Sequence, residues 1–212
     1  MYRRLATVVC ALSLAFPAAA SAEDPAFVDW SSLLPGLTTS YDPDDPNDCN
    51  AGRIQCVDKV IKEMYKRFNP LADSCNHDAV FSLTYLRTTE EYYRAATTPG
   101  FFEDVGFVNH EDAVFASYYF EAFDDWHNGR KSEVPQAWKI AFDAADKKQV
   151  SATGNLFLGM SAHINRDLPY VLYSIGLARR LLRRAPQRLT RATGGGAGQD
   201  ARRHPCARIR TW

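Results

Sequence analysis

Apolar residues recur at the spacing of an α-helix through most of the chain, and few segments alternate with period two. Residues 57–68 (VDKVIKEMYKRF) put Val57, Val60, Ile61, Met64, Tyr65 and Phe68 on one face, and Pro70 marks the predicted end of that helix. Asp73 or Ser74 is placed to cap a second helix reaching residue 96, closed by Pro99 and Gly100. Asn109 is the predicted N-cap of a third, with Asp112 at its third position. That segment, HEDAVFASYYFEAFDDWH, is apolar almost all the way round, the mark of a central helix. Pro135 starts a fourth, with Ala137, Trp138, Ala141, Phe142 and Ala145 on one stripe. The last core helix, residues 152–182, must kink at Pro169, whose ring removes a backbone donor and clashes with the preceding turn. The pattern predicts an all-α fold, a single-domain bundle of five or six helices.

The ends read differently. Arg3 and Arg4 precede an apolar stretch (LATVVCALSLAF), Pro17 breaks it, and Ala20, Ser21 and Ala22 form a small-residue cleavage pattern. Residues 1–22 are therefore predicted to be a signal peptide and the mature protein to be secreted, or at least extracytoplasmic. The stretch is well short of the roughly 20 residues that span a bilayer, so no transmembrane span is expected. Residues 23–53, punctuated by prolines and acids (SYDPDDPNDCNAGR), read as an extended N-terminal arm ending in a loop. The acidic run there lacks the spaced ligands, central glycine and closing glutamate of a calcium loop. Residues 54–178 form the helical domain and residues 179–212 an Arg-rich tail.

Charge sharpens this division. The formal net charge is zero, yet the tail carries ten arginines against one acid, while residues 23–178 carry 13 Lys and Arg against 24 Asp and Glu. An acidic body lacks the clustered positive charge that phosphate backbones require, so no nucleic-acid partner is expected. The tail contains Arg, Gly, Ala and Pro but no lysine, the composition of GC-rich DNA translated in a shifted frame. On that reading the authentic C-terminus is lost near residues 176–180; the rival is a natural basic arm.

With Cys10 inside the signal peptide, Cys49, Cys56, Cys75 and Cys206 remain. In an exported protein they point to disulfides, and one bridge is expected among Cys49, Cys56 and Cys75. A zinc site built on Cys75 and His77 would lack a paired Cys-x-x-Cys.

The chemistry-bearing residues are few. His163 and Asp167, four apart, share one helix face within an apolar sequence. Such a pair binds one metal ion, or the carboxylate fixes the imidazole tautomer; the structural alternative is a buried pair that steadies a kinked helix. His77 opens the second helix, and His110 and Asp112 open the third, where Asp112 is equally readable as a cap. Should these helix starts meet the kinked helix at one end of the bundle, the five residues make one or two positions for zinc or another divalent metal. That would suit metal-assisted hydrolysis, in which the ion lowers the pKa of a bound water. His127, at a helix end, reads as structural. There is no Gly-x-Ser-x-Gly elbow, phosphate loop or dinucleotide fingerprint. The aromatic run at residues 115–123 reads as core.

Four segments together, CNHDAVFSLTYLRTTEEY, FVNHEDAVFASYYFEAFDDWHNGR, VPQAWKIAFDAAD and GMSAHINRDLP, resemble an exported bacterial family known as a domain of unknown function, DUF5995. The resemblance spans residues 25–178 and implies a helical domain without supplying an activity. More remotely, GMSAHINRDLP is similar to a helix of zinc-dependent phospholipases C and P1-type nucleases. That likeness implies zinc ligation by His163 and Asp167. This chain departs from those enzymes in three ways: no histidine follows Pro169 at their position, no second His-x-x-x-Glu or Asp pair is found, and the mature N-terminus offers no Trp ligand. The leading expectation is a metal-dependent hydrolase of phosphoesters, with His163 and Asp167 as principal ligands and His77, His110 and Asp112 as secondary ones. The alternative is a non-catalytic exported binding protein for an apolar ligand or a protein partner.

Overall fold

Helix α1 (Ile54–Asp73) runs past the proline expected to end it, for Pro70 lies inside the helix. The turn beyond holds because Leu71 is fully buried in the core. It closes when Cys75 adopts a left-handed conformation (φ 52°), which lets the Asn76 N–H reach the Leu71 carbonyl. In this computed structural model residues 34–180 are described. The predicted signal peptide, the first part of the arm and the tail from residue 181 lie outside the described residues.

Next come α2 (Ala79–Ala96), α3 (Val105–His127), α4 (Gln136–Asp146) and α5 (Ala152–Met160), then a π-helical segment (Ser161–Asp167) and α6 (Leu168–Ser174). No strand occurs among the described residues, so the chain is all-α, a bundle of six helices. Two boundaries differ from expectation. α3 begins at Val105, capped by Asp104, whose carboxylate accepts from the Phe107 N–H at 3.1 Å. Asn109 is thus no cap but lies inside the helix, and Asp112 stands two turns in. The long last helix is interrupted by the π segment, and Pro169 falls directly after it, in the first turn of α6.

α1 packs against both α2 and α3, α5 against α2 and α4, and the π segment against α3 and α4. α2 and α3 each pack on α1, and Tyr85 of α2 meets Phe115 and Tyr119 of α3. As its pattern predicts, α3 buries residues on every face. Phe81, Tyr119, Phe120, Phe123, Trp138 and Phe142 form the aromatic centre. Inside it, Arg67 donates from Nε and Nη2 to the two Asp124 oxygens at 2.9 and 2.5 Å, with its guanidinium over the Phe120 ring.

Residues 34–53 are a compact loop where an extended arm was expected. A Cys49–Cys56 disulfide ties it to α1, the bridge drawn from the three expected cysteines. Asn50 accepts from the Thr38 N–H and donates to the Gly36 carbonyl, pinning the loop internally. Gly52, at φ 64°, lies so close to Gly106 of α3 that a Cβ would run into the Gly106 carbonyl. Leu34 and Cys49 both join the core. No helix among the described residues is long and apolar enough to cross a membrane.

Candidate functional site

The π segment brings His163 and Asp167 inward, and both are buried. His163 Nδ1 lies 3.0 Å from Asp167 Oδ2, and the same oxygen accepts from Trp138 Nε1 at 2.8 Å. Asp167 Oδ1 accepts from the Arg166 guanidinium at 2.7 Å. A carboxylate beside Arg166 only accepts, so His163 donates through Nδ1–H and keeps its lone pair on Nε2. Burial pushes the His163 pKa below its usual value, outweighing the Asp167 hydrogen bond that raises it. The imidazole is therefore neutral at pH 7. It lies flat on Phe115, 3.7 Å between centroids and 2° between planes, which adds a second restraint on the ring.

Nε2 is buried and has no hydrogen-bond partner. Tyr85 of α2 packs its ring 4.4 Å from the His163 ring, and its hydroxyl is likewise buried without a partner. Its pKa stands well above the usual tyrosine value, first through burial and then through the Asp112 and Asp167 carboxylates. Asp112 Oδ2, one turn before Phe115 on α3, is a third buried atom without a partner. Burial, with help from Glu111, raises the Asp112 carboxyl to about 7. Unpaired polar atoms inside a fold are costly, and three of those in this fold, on His163, Tyr85 and Asp112, belong to this aromatic nest. The nest lies between α2 and α3, floored by the π segment and fringed by half-buried Glu111, Asp112, Phe115 and Tyr118.

The other residues singled out in the sequence fall elsewhere. His110 donates from Nδ1 to the Cys49 carbonyl at 2.9 Å, and neighbouring Asn109 donates to the Gly52 carbonyl, so both hold the disulfide loop. His77 precedes α2 and meets Asn155 of α5, with Nδ1 3.0 Å from Nδ2. His127 does end α3, where it faces Asp78 at 3.2 Å. Cys75 is exposed and reduced. Asp167 accepts from three N–H groups, which leaves Nε2 as the open lone pair on His163. No set of three or more His, Cys, Asp or Glu side chains among the described residues is arranged to hold an ion. The fold brings His163 and Asp167 together and leaves His77 and His110 at separate places. The bond from His163 to Asp167 fixes the orientation of the imidazole.

Two members of this nest stand out only in the fold. Nothing in the sequence singles out Tyr85, and Trp138 is there one position of the α4 stripe. For Trp138 a signal existed: an indole N–H in a stripe otherwise of alanine and phenylalanine needs an acceptor once buried.

The model of a family of unknown function, DUF5995, matches residues 57–190. No curated protein and no solved structure matches the chain.

Proposed function

The chain belongs to the DUF5995 family, whose function is unknown, and we propose that it is an exported hydrolase working through His163. One observation carries this reading. The imidazole is held on one side by Asp167 and on its face by Phe115, with Nε2 left buried and unpartnered and the Tyr85 ring packed against the imidazole. An orienting carboxylate, a neutral imidazole and a free lone pair are what a general base requires. His163 takes a proton from water as the water attacks the substrate, and Asp167 stabilises the imidazolium that results. The disulfide and the lack of a membrane-crossing helix among the described residues accord with an extracytoplasmic location. Hydrolysis of chromogenic esters and phosphoesters by the purified chain tests the reading. His163→Gln should lower kcat at least about 100-fold, the usual scale for a general base. Elemental analysis of the same samples tests the zinc expectation: stoichiometric metal lost in His163→Gln would put an ion on Nε2 in place of the water proton. Equal turnover by parent and variant would end the proposal.

A further inference from the structure

We infer that the His163 site takes a neutral carbonyl compound, a carboxylic ester or amide, and that Tyr85 donates its hydroxyl hydrogen to the carbonyl oxygen. This rests on the reading of His163 as a general base and narrows it, setting aside the phosphoester expected from the sequence.

The charged groups acting on Tyr85 are Asp112 and Asp167; the one acting on His163 is Asp167, and the one acting on Asp112 is Glu111. All are acidic. The cation in contact with these groups, Arg166, gives Nη1 to Asp167 and lies over the Tyr170 ring. Phosphoryl groups are gripped by arginine, lysine or a metal ion, and the one arginine at hand serves Asp167. A phosphate anion entering this nest would meet carboxylates. A neutral acyl group would not be repelled, and it needs only what the nest provides: a lone pair to activate water and an O–H to meet the oxygen as charge builds. Tyr85 suits the second task because its hydroxyl is buried and has no competing partner.

The reaction balances with water as the only co-reactant. His163 Nε2 removes a proton from water while the water oxygen bonds to the carbonyl carbon. The carbonyl π pair moves onto oxygen, which accepts the hydrogen bond from Tyr85. The tetrahedral species then collapses: the bond from carbon to the leaving oxygen or nitrogen breaks, and the imidazolium returns its proton to that atom. An acid and an alcohol or amine leave.

The test compares the full-length chain, Tyr85→Phe and His163→Gln on p-nitrophenyl butyrate, p-nitrophenyl phosphate and bis(p-nitrophenyl) phosphate. The expected result is His163-dependent cleavage of the butyrate with neither phosphate cleaved. Tyr85→Phe should lower kcat for the butyrate about 10²–10³-fold with little change in KM, the effect of removing one oxyanion donor. It should not lower the melting temperature, since the hydroxyl has no hydrogen bond to lose. A drop in kcat without a drop in stability separates this role from a structural one. Undiminished kcat in Tyr85→Phe, or His163-dependent cleavage of a phosphate in preference to the butyrate, overturns the inference and leaves His163 as base. Turnover that survives His163→Gln, or no turnover of any substrate, overturns the underlying reading and the inference with it.

Discussion

Replacing Asp112 by asparagine should stabilise the protein at alkaline pH and leave it unchanged at acid pH. The carboxyl sits with one oxygen buried and unpartnered, and burial lifts it from an ordinary 3.8 to about 7. A group whose pKa is raised by folding contributes its full stability below the unfolded value, here pH 3.8, and loses it as pH climbs through about 7. The parent therefore weakens by roughly 1.4 kcal/mol per pH unit across that window, a loss of up to about 4 kcal/mol by pH 8. That figure is an upper limit, because the residue as a whole is only half-buried and water screens part of the charge. Asparagine has nearly the same shape and no charge to desolvate, so the two proteins should match near pH 4 and diverge above it. Urea unfolding of both at pH 4.5, 6 and 8, with the disulfide intact, measures the gap directly. In a domain of this size each kcal/mol shifts the melting temperature by about 2–4 °C. A gap that is the same at all three pH values, or a variant weaker than the parent at pH 8, would refute the assignment of a buried, strained carboxyl.

Two further substitutions probe the frame around His163. Trp138→Phe removes one N–H from the fully buried Asp167 and should cost about 2–4 kcal/mol in thermal unfolding, from the lost bond to a charged group and the lost volume; an unchanged melting temperature would mean that Asp167 does not depend on the indole. Gly159→Ala would set a Cβ 2.5 Å from the Phe81 ring, which itself packs against Trp138 and His163. The overpacking should cost about 1–3 kcal/mol despite the better helix propensity of alanine, and a stabilised variant would contradict the close α2–α5 contact.

The helices were legible because their apolar stripes are the buried faces: Val57, Val60 and Met64 of α1 and Trp138, Ala141 and Phe142 of α4 all lie in the core. So was the shared face of His163 and Asp167, since positions four apart align whatever the helix packs against. Boundaries depended on distant partners. Asp104 and Asn109 are both good caps locally, and what decides between them is the Gly52 carbonyl and the Tyr92 hydroxyl waiting for the Asn109 side chain. The turn after Pro70 likewise owes its existence to the burial of Leu71, which no local rule anticipates. For the site, the sequence showed the pair but not its surroundings. Asp167 meets an indole 29 residues away, and Tyr85 matters through a hydroxyl that lacks a partner, a property that exists only in the assembled fold.

The π segment carries one more implication, for how this chain tolerates change in length. A π turn closes on the fifth residue and an α turn on the fourth, so the segment stores residues that an ordinary helix would not need. Deleting one of residues 164–166 would let α-helix form there while α5 and α6 keep their orientations, so Gly159 would still face Phe81 and Val171 its own cluster. The scaffold would survive, with His163 and Asp167 three apart and still on one face. Among lineages that descend from such a chain, a 161–167 stretch shorter by one residue would mark those that kept the fold without its π turn.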